Sequence, residues 1–136
     1  MQLNPYLLFD GNCKAAFTFY EKLFGGKIEM MMTHADAPAE HQVPAEWRDK
    51  ILHATLSFSG GILMASDAPP SHFEKPQGFS LSIAISDPAE AERIFNALVE
   101  KGKVTMPFGQ TFWAYRFGML VDQFGIPWMI NCEKAA

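Results

Sequence analysis

The sequence has little cysteine: Cys13 and Cys132 are its only two among 136 residues. They do not form the dense, even-numbered spacing of a secreted disulfide framework, nor the CxxC pairs of a zinc or redox site. No neighbouring residue marks either thiol as activated. We therefore predict that both cysteines are reduced and serve packing rather than catalysis.

The sequence also lacks a long apolar run and an excess of basic residues. The segment Met1–Pro5 has no basic stretch followed by an apolar one, and no run approaches the length of a membrane span. The net charge is −4, whereas nucleic-acid binding needs a clustered basic surface. We therefore expect a cytoplasmic protein with neither membrane nor nucleic acid as a partner.

Two cofactor or nucleophile motifs are missing as well: the P-loop that cradles phosphates and the GxSxG elbow. What remains is an ordinary globular composition, with 49% hydrophobic and 19% charged residues. A chain of 136 residues is long enough for one domain with its own core. We expect a single domain.

The apolar pattern predicts a strand and a helix in each half of the chain. In the first half, Leu3–Phe9 resembles a buried strand, and apolar residues then recur at helical spacing from Cys13 until Gly25. In the second half, an alternating strand precedes Asp87 and Pro88, which are typical of the cap and first residue of a helix. Asn12 and Asp87 are the predicted N-caps, and Glu90 completes a predicted capping box.

Each helix is followed by three further strand-like segments. A shift of 75 positions lays Ala16 on Ala91 and Leu23 on Leu98, which indicates an internal duplication. The sequence therefore predicts an α+β fold of two βαβββ modules, 1–67 and 79–136, joined by the linker 68–78. The polar stretch 34–49 is longer than most connections and is predicted to cover a site.

Short motifs along nearly the whole chain carry a family resemblance. The first half contains Asn4–Leu7, Phe19–Tyr20, Leu23–Gly26, His53–Ala54 and Met64–Asp67. The second half contains Thr111–Trp113, Arg116–Gly118, Asp122–Gly125 and Trp128–Asn131. In this order they resemble the PhnB-like branch of the glyoxalase/bleomycin-resistance/dioxygenase superfamily, also called the vicinal-oxygen-chelate superfamily.

The resemblance implies a curved, mixed or antiparallel eight-stranded sheet with a ligand site inside each cup, commonly completed by homodimerisation. One fold hosts isomerases, dioxygenases, antibiotic-binding proteins and thiol transferases, so the resemblance suggests a site more firmly than a reaction. Some proteins of this branch are labelled ubiquinone-pathway methyltransferases. No GxGxxG-like segment follows a predicted strand here, so we do not predict methyl transfer.

Four positions decide the expectation about metal. Metal-using members place His, Glu or Gln ligands where the resemblance puts Pro5, Met64, Ser80 and Met129, give or take one residue. None of these offers a nitrogen or carboxylate ligand, and a thioether suits soft copper rather than the usual divalent ions. We predict no metal at that site and no cofactor.

His53 and Asp67 are the leading polar candidates for the ligand site. His53 lies at a position that the branch also fills with histidine, where it either serves as an acid/base or hydrogen-bonding group or bonds a neighbouring strand or Asp67. Asp67 either orients His53 or caps backbone amides of the linker. Arg116 either holds an anionic ligand or pairs with Asp122, which is predicted to be a hairpin residue.

Aromatic side chains supply the remaining contacts of the predicted cup. Most of them belong to the core, yet the indole N–H groups of Trp113 and Trp128 need partners. An aromatic-lined cup with few polar groups is the expected form of a small-molecule site. The candidate ligand-binding residues are Tyr6, His53, Met64, Asp67, Ser80, Trp113, Arg116 and Trp128.

Two classes of function follow from these residues. The first is a binding protein, like the drug-resistance members, whose cup holds a hydrophobic or mildly anionic small molecule. The second is a metal-free lyase, isomerase or transferase in which His53 moves a proton and Arg116 stabilises negative charge. In both cases we expect a homodimer, because pairing covers exposed sheet edges and apolar rims.

The purified protein is expected to contain no stoichiometric divalent metal, since the four positions lack suitable ligands. Mass spectrometry of the elements in the dialysed protein measures this directly. A full equivalent of zinc, nickel, manganese or iron per chain would contradict the interpretation of those positions.

Overall fold

The computed structural model describes residues 1–38 and 43–133. These residues form two units, Met1–Phe73 and a second that begins at Glu74. The division falls inside the segment 68–78 that the sequence predicts as a linker. A single domain across both units remains a prediction.

The first unit has one helix and one four-stranded sheet. Its elements in chain order are β1 (Tyr6–Phe9), α1 (Cys13–Phe24), β2 (Lys27–Thr33), β3 (Ile51–Phe58) and β4 (Gly61–Asp67). The strand order across the sheet is β1-β4-β3-β2; β1 runs parallel to β4, and the other neighbours are antiparallel. Short 3₁₀ turns at His34–Asp36 and Ala45–Trp47 lie between β2 and β3.

The second unit repeats this arrangement. Its elements are β5 (Leu81–Ala84), α2 (Pro88–Val99), β6 (Lys103–Gly109), β7 (Ala114–Val121) and β8 (Pro127–Glu133), with strand order β5-β8-β7-β6. The strand β5 runs parallel to β8. The predicted α+β fold of two βαβββ modules is therefore confirmed, with the eight strands divided between two sheets.

Each sheet has one face covered by its helix. In the first unit, the inward-facing residues of β1 and β4 pack against the buried side of α1, and the ring of Phe9 meets Phe17 edge-on at 6.2 Å. The buried residues of this core include Leu7, Phe9, Cys13, Ala16, Phe17, Tyr20, Leu23, Ala54, Leu56, Leu63 and Ala65. Burial of each large apolar side chain stabilises the unit by about 1.5–3 kcal/mol. The opposite face of the sheet is called the open face below.

The start of α1 differs from the prediction. Asn12 precedes the helix, but its side chain makes no capping hydrogen bond. The carboxylate of Asp67, at the end of β4, instead accepts hydrogen bonds from the backbone N–H of Cys13 at 2.9 Å and of Ile51 at 2.8 Å. Both sequence interpretations of Asp67 are therefore wrong: it bonds neither His53 nor the linker, because it faces the helix side of the sheet.

The start of α2 follows the prediction more closely. The side chain of Asp87 accepts a hydrogen bond from the backbone N–H of Ala89 at 3.2 Å, and Pro88 is the first helical residue. Glu90 does not complete a capping box; its carboxylate binds the guanidinium of Arg93 at 2.6 Å. Both helices have 12 residues, and no helix among the described residues is long and apolar enough to cross a membrane.

Asp122 organises the hairpin between β7 and β8, as predicted. Its carboxylate accepts from the backbone N–H groups of Phe124 and Ile126, and also from the indole Nε1–H of Trp128 at 2.8 Å. The turn is completed by Gly125, whose φ of 88° favours glycine. The buried carboxylate of Asp122 therefore joins the backbone of the turn to the side chain of Trp128 in β8.

Replacing Asp67 with alanine is expected to lower the free energy of unfolding by about 2–5 kcal/mol, since two buried N–H groups lose their acceptor. Urea unfolding followed by circular dichroism measures the loss. The matched control is Asp10→Ala, which removes an exposed carboxylate from the end of β1. Equal stabilities of the two variants would contradict the role assigned to Asp67.

The thiol of Cys13 is expected to resist alkylation in the folded protein. Burial raises its pKa far above the usual range, and the charge of Asp67 raises it further. Because the folded pKa lies above the unfolded one, the unfolding free energy should fall as pH rises above about 8.5, where the unfolded thiol ionises. Peptide mapping after iodoacetamide treatment at about pH 9, with and without urea, tests this. Rapid labelling of Cys13 without urea would contradict it.

Candidate functional site

The open face of the first unit brings three predicted site residues onto one surface. Tyr6 of β1 lies directly beside Met64 of β4, and the backbone N–H of Met64 donates to the carbonyl of Pro5 at 3.1 Å. Met64 is paired in turn with Thr55 of β3. Residues paired across neighbouring strands share a face, so Tyr6, Met64 and Thr55 all project away from α1. His53, two residues before Thr55, lies on the same face.

Tyr6 and His53 form a defined pair on this face. The phenol Oη of Tyr6 lies 3.0 Å from Nδ1 of His53, a hydrogen bond that spans β4. The two rings also stack, with centroids 5.6 Å apart and planes 20° from parallel. Nε2 of His53 makes no hydrogen bond within the described residues. The pair therefore presents one open ring nitrogen at the protein surface.

Mostly apolar side chains surround this pair. Met32 lies directly opposite His53, and Met30 lies opposite Thr55. Tyr6 and Leu8, on the edge strand β1, remain 43% and 45% exposed and so leave apolar surface uncovered on the open face. Met30 and Met32 were not among the predicted site residues, because the three consecutive methionines of β2 do not alternate with polar residues and so do not indicate which face is open.

Three other predicted site residues of the chain do not lie on an open face. Asp67 is buried on the helix side of β4, as described above. Trp128 is 2% exposed, and its indole belongs to the core of the second unit. Arg116 is paired with Cys132 and so shares the helix side of its sheet, where its guanidinium lies 4.2 Å from the ring of Tyr115 and donates to that residue's carbonyl. Arg116 therefore does not pair with Asp122.

Trp113 and Ser80 each lie just before a strand of the second unit. Trp113 precedes β7, is 47% exposed, and its ring meets that of Phe117 at 5.3 Å. Ser80 lies just before β5, and the residue paired with Met129 is Ser82 instead. The sequence predicts that Pro5 and Met64 of the first unit surround one hollow together with Met129 of the second unit. This remains a prediction.

Two further sequence expectations concern a metal site and the long connection between β2 and β3. No cluster of three or more His, Cys, Asp or Glu side chains suited to a metal occurs in the two described stretches of the chain. The connection is closed at its base, where the N–H groups of His34 and Ala35 donate to the carbonyls of Lys50 and Arg48. Its residues 39–42 lie outside the described residues, so its role as a cover remains a prediction.

Comparison with known proteins identifies relatives along the full chain. A family model described as 3-demethylubiquinone-9 3-methyltransferase matches residues 1–131. Protein YjdN of Escherichia coli is 37% identical, with 98% of this chain and 97% of YjdN covered. The crystal structure of PA1353 from Pseudomonas aeruginosa has 48% identity and a TM-score of 0.90, with 99% of both chains covered.

A more distant solved structure shares the fold alone. The fosfomycin resistance protein FosX of Listeria monocytogenes is 7% identical, with a TM-score of 0.68 over 98% of this chain and 93% of its own. Together with the full-length match of the family model, these likenesses agree with the paired βαβββ units described above. The chain belongs to the family described as 3-demethylubiquinone-9 3-methyltransferase, the PhnB-like branch of the vicinal-oxygen-chelate superfamily.

Proposed function

We propose that this protein binds a small organic molecule, without a divalent metal, on the open face of its first unit. The observation that supports this most directly is the hydrogen bond between Tyr6 and His53 on a surface that also carries Met30, Met32, Met64 and Leu8. A mostly apolar surface with a few oriented polar groups is typical of sites for small molecules. Methionine side chains are flexible and polarizable, so they suit ligands of varied shape.

The pair also indicates which group the ligand presents. We infer that Tyr6 donates to Nδ1 of His53, because a phenol O–H is a strong donor and a neutral imidazole nitrogen a strong acceptor. The ring proton of His53 then resides on Nε2, the nitrogen without a partner. We infer that this N–H donates to an acceptor on the ligand, such as a carbonyl or carboxylate oxygen. The stack of Tyr6 on His53 limits rotation of the ring.

Binding is better supported than the alternative of metal-free catalysis. That alternative uses His53 to move a proton and Arg116 to stabilise negative charge. Arg116 shares the helix side of its own sheet and its guanidinium already contacts Tyr115, so it is poorly placed for this role. His53 alone supports a binding contact without specifying a reaction.

The family description names a methyltransferase, but the strand-to-helix connections do not support that activity. Methyl transfer usually relies on a glycine-rich loop between a parallel strand and a helix. The two connections here, 10–12 and 85–87, are short and read Asp-Gly-Asn and Ile-Ser-Asp. FosX was solved with Mn(II) and a dihydroxypropylphosphonic acid, whereas in the described part of this chain His53 belongs to no group of three or more His, Cys, Asp or Glu side chains.

We extend the proposal to a cytoplasmic homodimer. The supporting features are two buried, reduced cysteines and the apolar side chains exposed on the open face. A cytosolic setting keeps thiols reduced, and a second copy of the chain is a natural cover for exposed apolar surface.

Replacing His53 with alanine is expected to weaken ligand binding by about tenfold or more, because a hydrogen bond to a ligand contributes about 1–2 kcal/mol. Tyr6→Phe keeps the ring stack but removes the hydroxyl, so a smaller loss of about three- to tenfold is expected. A thermal-shift screen of aromatic aldehydes, ketones and carboxylates identifies a ligand, and calorimetry measures its dissociation constant for each variant.

The matched control for this experiment is His72→Ala, which removes an exposed imidazole whose one side-chain hydrogen bond among the described residues is to the neighbouring Ser71. This variant should bind the screened ligand like the unaltered protein. Identical affinities in the His53 and His72 variants would contradict the proposed site.

A further inference from the structure

The edge strand β2 carries three consecutive methionines, and two of them lie on the open face of the first sheet. Met32 is paired with His53, whereas Met31 is paired with the fully buried Ala54. Because side chains alternate along a strand, Met30 and Met32 share the face of His53, and Met31 lies on the helix side. Met30 is 37% exposed, so its sulfur is not needed to fill the core.

Both of these sulfurs lie within reach of the His53 ring. Directly opposite residues on antiparallel strands have Cβ atoms about 4.5–5.5 Å apart, and diagonal neighbours lie about 7–8 Å apart. Met32 is the direct neighbour of His53, and Met30 is the diagonal one. Methionine side chains are long and flexible. The two thioethers can therefore approach one point beside the imidazole.

The bond to Tyr6 determines which nitrogen of His53 faces that point. Nδ1 is bonded to the phenol of Tyr6 on β1. The two nitrogens of an imidazole direct their bonds to opposite sides of the ring, so Nε2 is directed away from β1. The strand order β1-β4-β3-β2 places β2 in that direction. The open nitrogen and the two thioethers therefore lie on the same side of the ring.

One imidazole nitrogen and two thioethers form a donor set for a soft, monovalent metal ion. Thioether sulfur is a soft ligand that favours Cu(I), and imidazole also binds copper. All three donors are uncharged. A divalent ion would therefore leave two positive charges on a mostly apolar surface, which costs more free energy than the single charge of Cu(I).

We propose that the open face of the first unit binds Cu(I) through Nε2 of His53 and the thioether sulfurs of Met30 and Met32. On binding, the proton of Nε2 is replaced by the ion and Nδ1 takes up a proton, so the ring stays neutral. The phenol oxygen of Tyr6 then accepts from Nδ1 and keeps the ring in place. This ion site goes beyond the small-molecule site: the two share a ring nitrogen, but only the ion needs the two sulfurs.

The probe that tests this is Ag(I), which matches Cu(I) in charge and softness and is stable in air. A titration in chloride-free buffer is followed by proton–carbon NMR of the ε-methyl groups of the eight methionines. The signals of Met30 and Met32 should shift until a single ion per chain is bound, while that of Met31 should stay in place. An anaerobic titration of Cu(I) against a chromogenic chelator then measures the dissociation constant.

Three matched variants of β2 assign the ion to this face. Met30→Leu and Met32→Leu should each weaken binding of both ions by about tenfold or more, because a metal ligand is removed. Met31→Leu changes the same strand on its other face and should leave ion binding unchanged. Leucine and methionine are close in volume, so all three variants should fold like the unaltered protein.

The leucine variants also separate the ion site from the small-molecule site. Met30→Leu and Met32→Leu should keep the affinity for an organic ligand, since the surface stays apolar, whereas His53→Ala should weaken binding of both the ion and the ligand. Unshifted signals of Met30 and Met32, or equal ion affinities in Met31→Leu and Met32→Leu, would overturn the proposal. Binding of Ag(I) at these methionines without any organic ligand would support the ion site and count against the small-molecule site.

Discussion

The first unit depends on one buried carboxylate that joins three of its elements. Asp67 ends β4, and its two oxygens accept from the first residue of α1 and the first residue of β3. A carboxylate is costly to bury unless its oxygens are hydrogen-bonded, and two backbone N–H groups at 2.9 and 2.8 Å meet that need. The same contact satisfies an N–H that the uncapped start of α1 would otherwise leave open.

The face of the candidate site follows from the alternation of β3. Ala54 is buried and paired with Ala65 on the helix side of the sheet, so His53, one residue earlier, projects from the open face. In the second unit, other residues make the contacts at the start of the helix and at the end of the last strand. Cys132 is the last helix-side residue of β8, where its thiol meets the carbonyl of Ser86 at 3.6 Å, and α2 is capped locally by Asp87. The duplicated units thus share a backbone arrangement while their polar contacts have diverged.

Local signals in the sequence predicted the elements well, and contacts between distant residues account for what it missed. Asp87, Pro88 and the glycines of the turns act through their own backbone, so their neighbours in sequence suffice to interpret them. Asp67 bonds residues 54 and 16 positions away, which no local pattern reveals. The face of Arg116 was ambiguous for a different reason: both alternating sets of residues on β7 contain apolar side chains, so alternation did not identify the buried face.

The proposed site requires that Tyr6 and His53 present a single, fixed ring nitrogen to a ligand. Long-range proton–nitrogen NMR of the His53 imidazole measures this directly, because the two ring nitrogens differ strongly in shift according to which carries the proton. The account expects, for the neutral ring, a proton on Nε2 and an unprotonated Nδ1 whose shift changes when Tyr6 becomes phenylalanine. A proton on Nδ1, or a spectrum unaffected by the loss of the Tyr6 hydroxyl, would contradict it.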